Sequence, residues 1–377
     1  MLLEIVFWMS VGLVAYAYLG YALLLGGLSL FRSRRVSKAD ITPSVTFIIT
    51  AYNEQSRIAD KLENTLKLTY PASRLKVVVA SDCSSDRTDE IVKSYADQGI
   101  QLVRASVRKG KEAAQKLAVE VAKGEIFVFS DVATILPEHA VSNIVKNFND
   151  PTVGCVSSVD RFVDQDGQAS GEGAYVRYEM FLRSLETRVN SLVGLSGSFF
   201  AARREVCQNW KEDLQSDFNT LLNSVVRGLR GVSDPDSEGF YKNLTDEKKE
   251  YERKVRTILR GISVVARRRE MLNPFRYGLF AWQLFSHKVC RWLVPFALLG
   301  ALISALGLAR YSGVYLVFFG LQACFYAMAI IGLVFAVSKP SFIKLSLFFV
   351  LVNISILHAW IRFARGKRVV AWESSKR

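Results

Sequence analysis

Three carboxylates stand where a sequence of this kind could do chemistry. Glu54 follows SVTFIITAYN (44–53), Asp82 closes LKVVVASD (75–82) and Asp131 closes EIFVFSD (125–131). Each ends an apolar, β-branched run of the sort that forms a strand buried on both faces. A carboxylate at such an end can accept hydrogen bonds from a base or a ribose hydroxyl. Asp82, with Ser84, Ser85 and Asp86, also suits a helix start. Two acids spaced two residues apart would point to a metal ion, but after Asp131 the second place is taken by Ala133. VRKGKEAAQ (107–115) sets Arg108, Lys109 and Lys111 just before a helix. Cations beside a helix N-terminus attract phosphate, although the run reads equally as a solvated charge cluster. Neither GxGxxG after the first strand nor GxxxxGK[ST] occurs, so the dinucleotide fingerprint and the P-loop are excluded.

The elements that must position these residues alternate. Strand-like runs at 44–53, 75–82, 100–106 and 125–131 are separated by helix-like runs at 57–68, 84–98 and 111–124. Ile58, Leu62 and Leu66 recur at helical spacing, and Gly124 closes the third helix. This β-α-β-α-β-α-β order predicts an α/β, Rossmann-like domain with a mostly parallel sheet. Ligands of such sheets bind beyond the carboxyl ends of the strands, where Glu54, Asp82 and Asp131 lie.

Half of the 377 residues are hydrophobic, 22% are charged and the formal net charge is +14. That mixture predicts a soluble domain joined to membrane segments, with acidic partners. Residues 2–31 are apolar apart from Glu4 and are followed by RSRR (32–35), so a retained span would leave the next segment cytoplasmic. Apolar runs recur at 292–309, 314–337 and 342–363. Before them, FRYGLFAWQLFSHKVCRW (275–292) mixes aromatics with cations and reads as a helix lying in the membrane interface. Four full spans would put the basic C-terminal stretch 362–377 outside, against its charge preference. Either the last run is re-entrant or interfacial, or the charge rule is overruled. Five scattered cysteines without a CxxC pair argue for a reducing compartment, and three distant histidines argue against a His-rich metal cluster.

Several motifs in order resemble the inverting, nucleotide-sugar-dependent glycosyltransferases of family 2. They are TAYNE (50–54), VVVASDCSSDRT (77–88), RKGKEAA (108–114), FVFSDVAT (127–134), GEGAYVRYEMFLRSLE (171–186), GLSGSFFAARRE (194–205), LQSDFNTLLNSVVRGLR (214–230) and TDEKKEYERKVRTILRG (245–261). The C-terminal stretches look like membrane-integrated members that build polysaccharide or lipid-linked glycans.

The resemblance implies a GT-A-type domain with one N-terminal and about three C-terminal membrane segments. Its division would be 1–35 (transmembrane helix and basic stop), 36–135 (nucleotide-sugar-binding half), 136–240 (acceptor-side half), 241–291 (basic segment and interfacial helix), 292–364 (membrane helices) and 365–377 (basic tail). Carried over position by position, Glu54, Asp82, Lys109, Lys111, Asp131, Arg253 and Arg256 match donor-binding positions, and Asp131 the metal position. Asp217 in SDF matches the catalytic base, with Ser216 in place of the first acid; the competing role for Asp217 is a helix N-cap. The stretch 251–291 carries ten Arg or Lys against two acids, which suits a leaving diphosphate. Tyr175, Tyr178 and Glu179 share a helical face, with Glu172 a turn earlier. The family places this helix below the acceptor site, which implies acceptor contacts for Tyr178 and Glu179, and for Gly197 in the next motif.

The implied activity is transfer, with inversion, of a hexosyl or N-acetylhexosaminyl group from a nucleotide diphosphate sugar, UDP first, to a glycan or lipid-linked acceptor. Mg²⁺ or Mn²⁺ would be the cofactor. Anionic membrane lipid and glycan-export or polymerisation proteins would be partners, nucleic acid would not, and the plasma (inner) membrane would be the site, multi-pass with the catalytic domain cytoplasmic. Ala133, Ser216 and Thr257, where the family has acid, acid and Trp, motivate the alternative of a membrane-anchored nucleotide-sugar-binding pseudoenzyme or regulatory subunit. A transporter would need more spans and intramembrane acid pairs.

Overall fold

The computed structural model describes residues 1–163, 174–242, 247–335 and 342–367. Its order begins with helix α1 (Leu2–Phe31). There follow β1 (Val45–Ala51), α2 (Ile58–Leu66), β2 (Leu75–Ser81), α3 (Thr88–Lys93), β3 (Ile100–Arg104), α4 (Lys111–Val121), β4 (Ile126–Asp131) and α5 (Ala140–Lys146). The second half adds β5 (Val153–Val163), α6 (Ala174–Val189), β6 (Phe199–Arg203), α7 (Ser216–Val226), β7 (Arg230–Lys242) and α8 (Glu247–Arg267). Three apolar helices close the described chain: α9 (Leu279–Leu308), α10 (Gly313–Val334) and α11 (Phe342–Ala364).

The strands form one sheet in the order β3-β2-β1-β4-β6-β5-β7. β3, β2, β1 and β4 run parallel. Both faces are covered, as continuous apolar runs require. Phe47, Ile49, Val79 and Val128 pack toward α2, α3 and α5, while Ile48, Val78, Phe127 and Phe129 pack toward α4. Neighbouring residues of one strand thus serve opposite cores. β6 joins β4 antiparallel, with β5 and β7 beyond it. The carboxyl ends of β1, β2 and β4 therefore meet residues brought back from the second half. Gly124, before β4, lies so close to β1 that a Cβ there would be 2.6 Å from the Thr46 backbone nitrogen.

The region expected to hold an interfacial helix at 275–292 is organised differently. Pro274–Tyr277 is a single turn ended by Gly278 at φ +51°, and from Leu279 the chain is already in the 30-residue helix α9. Phe280 and Leu284 are buried in one cluster with residues of α8, while Phe275 and Phe285 are exposed. The strongly amphipathic helix is α8 instead, whose Val255, Leu259 and Ile262 pack with Trp292, Ile356 and Ala359.

Among the described residues, four helices are long and apolar enough to cross a membrane. α1 pairs with α9 toward the far end, where Gly307 faces Leu3 and Phe7 packs with Ala305 and Leu308. α11 behaves otherwise. At about 1.5 Å per residue it is roughly 35 Å long, yet its contacts with α9 lie near the domain. Trp360 donates to the Trp292 carbonyl, and Asn353 shares a cleft with Pro295, Leu298 and Leu299. Its other side lies on α8, with Phe348 under the Lys254 ammonium at 5.0 Å and His358 Nδ1 3.2 Å from the Tyr251 hydroxyl.

Candidate active site

A cavity of about 350 Å³ opens at the carboxyl ends of β1 and β4. Glu54 reaches it because the chain turns sharply after β1. Asn53 takes a left-handed φ of +51°, its carboxamide oxygen accepts from the Ser85 backbone, and the Glu54 backbone N–H donates to Thr88 Oγ1 at 2.7 Å. Arg57, one helical turn on, donates through Nε and Nη2 to Glu54 Oε2 at 2.9 and 2.5 Å. Burial pushes the Glu54 carboxyl above its usual range, against the opposing pull of Arg57.

Asp131 is held by its backbone. Its N–H donates to the Ser198 carbonyl, and Thr134 N–H closes a tight turn on the Asp131 carbonyl. Beneath that turn Lys61 donates to Ser130 Oγ at 2.7 Å and to the Thr134 carbonyl at 2.6 Å. Burial pulls the Lys61 ammonium down to about 7. Above it, Lys111 Nζ donates to Asp131 Oδ1 at 2.5 Å and to the Gly197 carbonyl at 3.1 Å.

Asp217 faces Asp131 across the cavity, on the first turn of α7. Gln215 precedes the helix, and no side-chain capping bond is made there. The N-cap position is Gln215, while the Asp217 carboxylate takes the Phe218 backbone N–H and lines the cavity. Gly197 gives it room, since a Cβ there would come within 3.1 Å of Asp217 Oδ2. Gln215 Nε2 donates to the same oxygen at 3.2 Å. Burial raises the Asp217 carboxyl above the normal Asp range, opposed by the charges of Arg260 and Lys111. A buried carboxylate that ionises with difficulty and has nearby cations is poised to take a proton. Arg253, Arg256 and Arg260 enter from one face of α8.

Residues 46–210 match the model of glycosyl transferase family 2. The match covers less than half of the chain and makes this segment similar to a family 2 domain. Hyaluronan synthase of Streptococcus pyogenes is 26% identical over 174 residues, 43% of this chain and 41% of its own. Poly-beta-1,6-N-acetyl-D-glucosamine synthase of Staphylococcus epidermidis is 24% identical over 179 residues, 45% of this chain and 42% of its own. The chain thus spans about two fifths of the length of the curated relatives it matches. The mannosyltransferase PcManGT from Pyrobaculum calidifontis, solved with GDP-Man and Mn2+, superposes with a TM-score of 0.76 at 23% identity, covering 97% of this chain and 100% of its own. It shares the fold, including the GT-A-like sheet.

The family 2 match stops at residue 210, so Asp217 and the α8 arginines lie beyond it. The cavity nonetheless unites them with Glu54, Lys111, Asp131 and Gly197 from the matched part. Asp82 and Lys109 are not among its lining residues. Asp82 accepts the backbone N–H groups of Lys109 and Gly110, both at 2.9 Å, with Gly110 at φ +102°. Asp82 thereby shapes the basic loop from which Lys111 projects. Burial raises its carboxyl, against those two bonds.

Tyr178 and Glu179 are placed elsewhere, at the junction of α6 with α1 and α9. The Tyr178 hydroxyl donates to the Tyr18 carbonyl, and Glu179 pairs with Arg291 and with His287 Nε2 at 3.2 Å. Tyr175 packs on Phe348, and Glu172 lies outside the described residues. Residues not anticipated also line the cavity: Arg57, Asp160, Arg183 and Arg260. Arg260 was legible as the third member of a 3- and 4-residue spacing with Arg253 and Arg256. Asp160 and Arg183 carried no local signal.

Among the described residues no group of three or more His, Cys, Asp or Glu is placed to hold a metal ion. Asp131 and Asp160 both line the cavity. Ser198, whose carbonyl accepts from Asp131, donates its hydroxyl to Asp160 Oδ1 at 2.5 Å. Mg²⁺ is commonly held by one or two carboxylates together with substrate phosphates, and these two are the cavity's candidates for that role.

Proposed function

We propose that this chain is a membrane-anchored inverting glycosyltransferase that moves a hexosyl or N-acetylhexosaminyl group from a nucleotide diphosphate sugar, UDP-linked in the first instance, to a glycan acceptor. The observation that carries this reading is the buried Asp217 carboxylate in a cavity whose other walls supply cations from Arg57, Lys111, Arg183 and the α8 arginines. An inverting transfer needs one base and no second carboxylate nucleophile. Asp217 takes the proton of the acceptor hydroxyl. The hydroxyl oxygen bonds to the anomeric carbon from the face opposite the diphosphate. The bond to the leaving phosphate oxygen breaks, and its electron pair goes to the diphosphate. Lys111, Arg253 and Arg256 face the growing charge. Glu54, Asp82 and Lys109 shape the nucleotide end, with Asp82 acting through the loop it holds. Asp131 and Asp160 would hold Mg²⁺ or Mn²⁺, which supplies further neutralisation of the diphosphate when bound.

The supporting neighbours are a mannosyltransferase solved with a sugar nucleotide and two polysaccharide synthases. Two polysaccharide synthases among the relatives support a glycan acceptor, and the apolar helices with RSRR after the first support a multi-pass plasma-membrane protein with a cytoplasmic domain. The test uses detergent-purified protein and a panel of UDP-, GDP- and dTDP-sugars. Transfer or hydrolysis of one donor is expected. Asp217→Asn should lower turnover by about 10²- to 10⁴-fold while donor binding is kept. A fully active Asp217→Asn overturns the base assignment, and absence of any donor binding overturns the transferase reading.

A further inference from the structure

Behind the Asp217 side of the first cavity lies a second one, of about 330 Å³. It is bounded by α8, the segment leading into α7, and the end of α11. Glu112, Gln215 and Arg260 line both cavities. The partition is thin and polar. Arg260 pairs with Glu112, whose Oε1 also accepts the Ser216 backbone N–H at 3.4 Å, and Gln215 reaches Asp217 itself.

The lining selects a class of ligand. Glu212, Asp213 and Ser263 offer hydrogen-bonding oxygens, while Leu214, Leu259 and Phe363 offer apolar faces. Carboxylates beside apolar surface suit the hydroxyls and C–H faces of a sugar. Arg260, Arg267 and Lys367 balance Glu112, Glu212 and Asp213 in the same lining, so it favours a neutral polar ligand over an anion or an acyl tail. The two carboxylates are held in place before any ligand arrives, Asp213 by Arg267 at 2.5 Å and Glu212 by Lys116 at 2.6 Å. Tyr178 and Glu179, expected at the acceptor, lie at the membrane junction and do not line this cavity.

We propose that the second cavity is an acceptor subsite, holding the inner sugars of a polyhydroxylated glycan chain whose terminal hydroxyl reaches Asp217 past the Arg260–Glu112 pair. This rests on the glycosyltransferase reading and adds where its acceptor lies. The arrangement separates two outcomes of donor activation. Water needs only the first cavity, whereas a chain of two or more sugars needs both.

The test introduces bulk where it does not disturb the core. Ala266 is an exposed α8 residue on the wall of the second cavity, and Ser263 lies one turn before it. Ala266→Trp and Ser263→Trp are compared with wild type for donor hydrolysis and for transfer to gluco-, galacto-, manno- and N-acetylglucosamine oligomers of one to five units. The expected result is at least a tenfold rise in KM for oligomers, with donor hydrolysis and transfer to the monosaccharide unchanged. Equal loss with monosaccharide and oligomers, or unchanged oligomer KM in both variants, overturns the subsite while leaving the transferase intact. Wild-type protein that binds no donor overturns the transferase reading and the subsite with it.

Discussion

Asp217 sets the pH behaviour of the site. Its carboxyl is raised by burial, so the base is protonated, and inactive, over a range where an exposed Asp at about 3.9 is ionised. The acid limb of kcat/KM should therefore lie above that range and follow Asp217. Linkage gives a second consequence. A folded-state pKa raised above the unfolded one means that stability falls as pH rises through that interval. Asp217→Asn should then be more heat-stable than wild type at neutral pH, a result read from paired thermal melts. Lys61 has the opposite character. Its folded value near 7 lies below that of an exposed lysine, so the unfolded chain binds more protons between those values and stability rises with pH across them. Lys61→Met should flatten that rise in melts between pH 7 and 10. It should also weaken donor affinity, because the turn carrying Asp131 loses the bonds at Ser130 and Thr134.

Among the elements, the close approaches decide what can change. The helix-to-strand turn at Gly124 presses on the β1 backbone, so Gly124→Ala should cost about 1–3 kcal/mol in chemical denaturation. Gly197→Ala should spare stability more and damage transfer, since its new methyl would crowd the Asp217 carboxylate. The four parallel strands, the helices between them and the strand-end acids were legible because each signal sits in a window of about ten residues. β5, β6 and β7 were not read individually. Their pairing with β4 is what delivers Asp160, Gly197 and Ser198 to the cavity. Arg183 arrives from α6 by the same long-range packing, donating to Ser157 Oγ at 2.5 Å and to the Gly194 carbonyl at 3.2 Å. No window of sequence contains both partners of such contacts.

For the molecule as a whole, the domain and its membrane helices are joined by a buried charge cluster. Glu179 bonds to Arg291 and His287, and Glu186 bonds to His287 Nδ1 and to the Tyr21 hydroxyl, at 2.6 and 2.7 Å. Removing one partner of a buried pair leaves an uncompensated charge, at a cost of about 3–5 kcal/mol. Arg291→Met should lower the melting temperature, and Arg291→Met with Glu179→Gln should recover part of the loss. α11 packs along α8 and also along α10, where Ile343 and Leu347 meet Gly332. We propose that it is the re-entrant or interfacial run, which leaves the basic residues at its end on the domain's side, as their charge prefers. Cysteines placed at Lys367 and Arg310 should react with an impermeant thiol reagent from opposite faces of sealed vesicles. Labelling of both from one face would show that α11 crosses.

The sequence by itself determined the alternation of strands and helices, the acids at the ends of β1, β2 and β4, the four apolar stretches and the likeness to family 2. All of these are periodicities or short motifs, which local sterics and burial preferences fix within a few turns of chain. Only the tertiary structure decided that Asp217, Asp160 and the α8 arginines share a cavity with Asp131, and that Tyr178 and Glu179 lie at the membrane junction. It also decided that α11 lies against α8. These depend on which buried faces pack together across hundreds of residues, where the free energy comes from excluding water between surfaces distant in the chain.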